Sequence, residues 1–362
     1  MDNTYENLNQ YLNSFFLYYN YPLYTDYLSE FLDLSILSNQ MIHNNIKNWD
    51  LVEKSFDSNF SLSLCESLDL CSDFIKTYLG DYYDTWKEYL TNGVIDFTDL
   101  EQIILEGDSP QLSFSLTGKD SCRFIRSIGV ELRHDYLDPA TIIHEFVHQL
   151  NVDESSFGMH NEILKVSESL FGEVESIYFE TLMYRFMEER GYSKEAIASV
   201  QFSRISNFSK MCFDSIGELL LLRDYHIFGE ISDNNWDEAK KLHILSFDTK
   251  MKYHDIATGV DQKIGAQEEE IKVYLGSDFN FFRSFIYVLG TTLAYWAISQ
   301  NDRNMPWKML QFNEDLAEDR DLEYSFSRLG LKFDNLYCFV SDAFMEITRC
   351  SKNLNYSSKK KK

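Results

Sequence analysis

Three residues in one short segment could together hold and use a metal ion: His144, Glu145 and His148, within Asp138 to Leu150, DPATIIHEFVHQL. Two histidines four positions apart fall on one face of an α-helix, where both imidazoles can converge on a single ion. Glu145 is rotated to the edge of that face, where a carboxylate can take a proton from metal-bound water. That combination is the chemistry of a zinc hydrolase; the plainer reading is a helix whose two histidines pack or meet solvent. Local signals specify the helix, since Asp138 is a good N-cap and Pro139 suits the first helical position. The neighbours Ile142, Ile143, Phe146 and Val147 are apolar, as a buried metal helix requires.

Two histidines leave the ligand set incomplete, because a catalytic zinc site takes three protein ligands and keeps one position open. The metzincin extension requires Gly at 151 and His at 154, whereas the chain has Asn151 and Glu154, so that branch is excluded. The other common solution is a glutamate on a later helix. Phe171 to Arg190, FGEVESIYFETLMYRFMEER, reads as one long helix closed by Gly191 as its C-terminal cap. Glu173, Glu175 and Glu180 are the ligand candidates within it, against a background in which most helix glutamates are simply exposed.

The HEFVH motif followed by E-x-x-S-x-x-x-E, present as Glu173, Ser176 and Glu180, resembles the active-site helices of the thimet oligopeptidase and oligoendopeptidase F family of zinc peptidases. The resemblance implies one Zn²⁺ per chain, with Glu173 as the third ligand and Glu180 as a second acid two turns along the same face. Glu175 falls where that family often has Pro, and a thermolysin-like site would need Asp at 177, which is Ile. Phe279 to Ala294, FNFFRSFIYVLGTTLA, is similar to the aromatic segment lining the family's substrate cleft, best over Tyr287 to Gly290. There the family uses a His and one or more Tyr to stabilise the oxyanion. This chain has no His beyond Asp255; Ser277 or Asp278 stands nearest that position, which leaves Tyr287 as the implied donor and Arg283 as the second. SFSRLGLKFDNLYCFVSDAFMEI resembles the family's helical end, so the similarity covers roughly 105 to 350, with fewer residues ahead of HExxH than the family generally carries.

The elements that must position these residues are helical in the main. With 362 residues, 44% hydrophobic and 15% aromatic, the chain can bury a large core, and 4 Pro with 15 Gly interrupt few helices. Phe74, Tyr78, Tyr82, Trp86 and Leu90 mark a helical stripe at four-residue spacing in an N-terminal lobe, 1–105. A turn at Gly107 to Pro110 precedes the alternating strand Gln111 to Leu116, and a second strand is expected over Ile125 to Leu132. Helical patterns then continue almost to the end, with breaks near Gly229 to Asn235 and Gly259 to Gly265. The expected fold is mainly α, a helical zincin with a small β-sheet beside the HExxH helix, in a catalytic domain spanning 106–362.

A net charge of −25, from 33 basic and 58 acidic side chains, argues against nucleic-acid and anionic-membrane partners. Phe285 to Ile298 is shorter than the roughly 20 apolar residues needed to cross a bilayer and reads as a buried helix. Six cysteines without a CxxC pair, and an acidic start where an export signal would be basic then apolar, point to a reducing, cytoplasmic setting. The terminal SSKKKK receives no role. The expected function is a zinc-dependent endopeptidase acting on short peptides with Glu145 as general base. Its rivals are a peptidase-derived peptide-binding protein without turnover, and a structural zinc site closed by a fourth ligand such as His160.

Overall fold

The structure, a computed structural model, describes residues 27–49, 61–99, 114–120, 123–150, 162–230, 283–319, 322–332 and 335–360. The chain is mainly helical. In order, the elements are α1 (Leu28–Trp49), α2 (Leu64–Tyr78), a 3₁₀ turn (Gly80–Tyr82), α3 (Tyr83–Thr91), β1 (Ile95–Asp99), β2 (Phe114–Asp120), β3 (Arg123–Leu132) and α4 (Leu137–Leu150). There follow α5 (Glu162–Glu189), α6 (Lys194–Phe228), α7 (Arg283–Ser299), α8 (Met305–Asp319), α9 (Leu322–Leu329) and α10 (Leu336–Lys360).

Local chemistry sets several boundaries. Ser63 and Glu66 form a reciprocal capping box at the start of α2. The Ser193 hydroxyl accepts from the Ala196 N–H to start α6, which ends at Gly229 in the left-handed region, φ 75°. Gly191, with φ 87°, closes α5 as its position implied, and Tyr192 N–H donates back to the Met187 carbonyl. α5 begins at Glu162, earlier than Phe171.

The N-terminal stripe does not lie on one helix. Leu79 leaves the helical region and Gly80 opens the 3₁₀ turn, so Phe74 sits on α2 and Trp86 on α3, both fully buried. Trp86 Nε1 donates to Ser72 Oγ across the break at 2.9 Å. Helix geometry cannot continue through a residue with φ −131°, and the shared core keeps the stripe's apolar function where its periodicity fails.

Three strands form a mixed sheet in the order β1-β3-β2, with β1 parallel and β2 antiparallel to the central β3. β3 matches the second expected strand, and β2 runs on to Asp120 from the first, of which 111–113 lie outside the described residues. β1 falls in the stretch read as helical. Its IDFTD sequence alternates by two, but five residues carry little periodic signal, and its order comes from the pairing Ile95 to Ile128 through Asp99 to Leu132. The Gly107 to Pro110 turn and the Gly259 to Gly265 break also lie outside the described residues.

α4 packs on β2, β3 and α2, and on its other side against α5. α5 is enclosed by α4, α6, α7 and α8, so that its residues from Val174 to Met187 are buried on every face except at Arg185. α1 joins the same core, its Phe31 ring 4.3 Å from that of Phe285 on α7 and its Ser35 hydroxyl bonded to that of Ser215 on α6. α7 contains the apolar run and is buried; among the described residues no helix is long and apolar enough to cross a membrane.

Gly290 sets the approach of α7 to α5. A Cβ there would stand 2.7 Å from Ile177 Cδ1 and 3.2 Å from Val174 Cα. Helix propensity favours Ala over Gly by about 1 kcal/mol, but the crowding opposes it. Gly290→Ala is expected to destabilise by about 1–3 kcal/mol, read as a lower urea midpoint at unchanged slope. Ile177→Val removes the crowding methyl, so the double variant should lose less than the sum of the single losses. A stabilised Gly290→Ala would show that the two helices part freely.

Candidate metal centre

The first requirement is a fixed HExxH helix. β3 runs into α4 through a short link in which His134 adopts φ 58°. α4 starts at Leu137, so Asp138 lies inside the first turn and is not the N-cap. Its carboxylate turns back to accept from the N–H groups of Arg133 at 2.9 Å and His134 at 2.8 Å, while Asp135 Oδ1 accepts from Leu137 N–H at 2.7 Å. Asp138 thus satisfies two backbone donors of the tight link in place of the capping role. Burial, only partly offset by those two bonds, pushes Asp138 up to about 6. On the face away from α5, Phe146 is held edge-on by Trp86 and Tyr89, with ring centroids 5.2 and 5.8 Å away.

On the facing side, α5 brings Glu173 and Glu180, two turns apart on one stripe, against the two histidines. His144 Nε2 and His148 Nε2 are 3.1 Å apart, and the Glu173 carboxylate lies 3.5 Å from the first and 3.6 Å from the second. His144, His148 and Glu173 form the metal-competent group among the described residues. Ligand atoms bonded at about 2.0–2.1 Å around a tetrahedral zinc stand about 3.4 Å from each other, close to these separations. Glu173 Oε2 is buried without a hydrogen-bond partner, a gap that a cation would fill. The three residues therefore fit the ion that their types imply.

His144 is also held at its other nitrogen, Nδ1, which lies 3.1 Å from Glu180 Oε2. A carboxylate on Nδ1 fixes the ring and its tautomer, leaving Nε2 to face His148 and Glu173. Glu180 is thus the acid behind His144, while Glu175, fully buried, is not among the three residues of the metal-competent group. Glu180 Oε1 accepts from the Tyr184 hydroxyl at 3.2 Å and from Arg204 Nε on α6 at 2.6 Å. Sequence reasoning missed both partners. Tyr184 carries a weak signal, one turn from Glu180 on the same helix, whereas Arg204 has none because α6 meets the site only through folding.

Glu145 is buried beside this cluster. Burial pushes its carboxyl up to about 7; Glu173 and Glu180 add to the rise, and His144 and Arg204 oppose it. His144 itself is pushed up to about 10, because the acids Glu173 and Glu180 outweigh the burial that would lower it. Burial and the neighbouring His144 charge bring His148 down to about 4. Burial would raise Glu173, but its contacts with His144, His148 and Tyr287 win and hold it at about 2. Before any ion enters, one proton on His144 therefore does the work of a cation.

Tyr287, half-buried on α7, reaches the site and hydrogen-bonds to the Glu173 carboxylate. Arg283 is the first residue of α7. Asn151, Glu154, His160, Ser277 and Asp278 lie outside the described residues. Compared with protein-family models, curated proteins and solved structures, the chain matches none.

The protonation pattern has a measurable consequence. At pH 6 to 8 His148 and Glu173 are already deprotonated, while His144 must release its proton before Nε2 can bind an ion. Zinc affinity, measured by competition with a chelator of known proton linkage, should rise about tenfold per pH unit across that window. An affinity that levels off above pH 7 would mean that His144 titrates as an ordinary histidine.

Proposed function

We propose that the protein is a zinc-dependent endopeptidase of the oligopeptidase type, hydrolysing short peptides in a zincin-like site. The observation that carries this reading is the convergence of His144 Nε2, His148 Nε2 and the Glu173 carboxylate with the buried Glu145 beside them. His144, His148 and Glu173 offer the three protein ligands that a catalytic zinc site takes, and such a site keeps a further position for substrate or water. Bound zinc would supply Lewis acidity there, polarising a peptide carbonyl and lowering the pKa of water.

The chain's own residues do the rest. Glu145 is poised near neutrality, and a cation beside it favours the ionised form that accepts a proton from the attacking water. The same carboxyl then returns that proton to the amine nitrogen as the C–N bond breaks. Glu180 orients His144, and Tyr287 orients Glu173 through its hydroxyl. We assign that hydroxyl the further role that the resemblance implies, donation to the oxyanion of the substrate. The net charge of −25 argues against a nucleic-acid partner.

Digestion of a short-peptide library, followed by mass spectrometry, tests the reading directly. Zinc-loaded protein should cut within peptides, lose activity to a chelator and regain it with zinc. Glu145→Gln should keep its zinc and lose about 10²–10⁴-fold in kcat. His144→Ala should lose the metal itself. Zinc-loaded protein that binds peptides without cutting any would instead favour a binding protein, and a Glu145→Gln variant as active as its parent would remove Glu145 from the mechanism.

A further inference from the structure

Glu180 is tied at both carboxylate oxygens, and only one tie belongs to the ligand set. Oε2 meets His144 Nδ1 at 3.1 Å; Oε1 accepts from Tyr184 at 3.2 Å and from Arg204 at 2.6 Å. A glutamate side chain turns about three torsions, so a single contact to an imidazole leaves the carboxylate free to rotate away. The second anchor removes that freedom. Arg204 crosses from α6, hydrogen-bonds to Tyr184 as well as to Glu180, and keeps 42% of its side chain exposed while its charge reaches an acid that is buried. A planar guanidinium can hold an oxygen of Glu180 and the hydroxyl of Tyr184 together, whereas a lysine ammonium offers one point charge.

We propose that Arg204 is a positioning residue for the metal centre: by pinning Glu180 Oε1 it keeps His144 in the orientation and tautomer that ligates, and so sets metal affinity from outside the ligand set. This rests on the zinc-site reading and extends it to a third layer of residues, contributed by a helix that carries no ligand. The chain of contacts runs from partly exposed Arg204 through Glu180 to His144 Nε2, so an exposed change on α6 is transmitted to the metal.

The test uses the full chain as Arg204→Met, Arg204→Lys and Tyr184→Phe, with zinc affinity measured by chelator competition and melting followed on metal-free protein. Arg204→Met should bind zinc about 10–100-fold more weakly. Arg204→Lys should recover part of that loss, because it restores the charge without the fork. Tyr184→Phe, which keeps the ion pair, should show a smaller loss in the same direction, and it carries the test if Arg204→Met does not fold. A packing role alone would lower the melting temperature of the metal-free protein and leave zinc affinity in place. Parent-like zinc affinity in folded Arg204→Met, beside a parent that binds zinc, overturns this proposal alone. A parent that binds no zinc overturns the metal-centre reading and this proposal with it.

Discussion

A carboxylate taken out of water must be paired, or it gives up its charge. Glu145 and Glu180 are buried, and Glu173 is largely covered, in the apolar contact between α4 and α5. Each is answered differently. Glu180 is met by Arg204, Tyr184 and His144; Glu173 by Tyr287 and two imidazoles; Glu145 by a carboxyl held near neutrality. Most of the polar structure around the site follows from satisfying these three groups.

The same constraint explains why α5 is so deeply enclosed. Electrostatic attraction between an imidazole and a carboxylate is strong only where water is excluded, and water is excluded here by four helices packed around one. Gly290 lets α7 approach α5 closely, and Tyr287, one turn before it, is thereby brought to Glu173. Packing and polar contact are therefore one arrangement: separating α7 from α5 would weaken the core and move the donor that steadies a ligand. On the opposite side the Trp86 and Tyr89 edges hold Phe146, so α4 is fixed from behind while its histidines face forward.

A metal ion at this group would compete with a proton for the same lone pair. In the metal-free protein the raised His144 and the lowered His148 put the extra proton on His144, between the carboxylates of Glu173 and Glu180. Exchange of that proton for a divalent ion adds one positive charge and leaves the hydrogen bond at Nδ1 in place. The Glu180 contact is a counter-charge to the imidazolium, and it would orient the ring as an acceptor if His144 took a metal ion.

The pairing of His144 with His148 was legible from spacing alone, because the helix repeat places residues four apart on one face regardless of what surrounds them, whereas Glu173 and Glu180 were singled out by the family resemblance. The apolar run of α7, the Gly191 cap and the central strand β3 were legible for the same reason: each depends on residues near one another in the chain. The Asp138 cap and the continuous N-terminal stripe were local readings that failed where a tight link and a break at Leu79 and Gly80 imposed other geometry. Residue type and spacing could not choose among Glu173, Glu175 and Glu180, could not find Arg204, and could not foresee that Tyr287 would bond to Glu173. Those outcomes depend on how α4, α5, α6 and α7 pack, and packing is settled by side chains far apart in sequence whose fit no local pattern records. Residue types and local spacing name the groups whose chemistry is in reach, while packing between distant helices selects the ones that meet, since burial against a particular neighbour sets whether a carboxylate is ion-paired, hydrogen-bonded or held near neutrality.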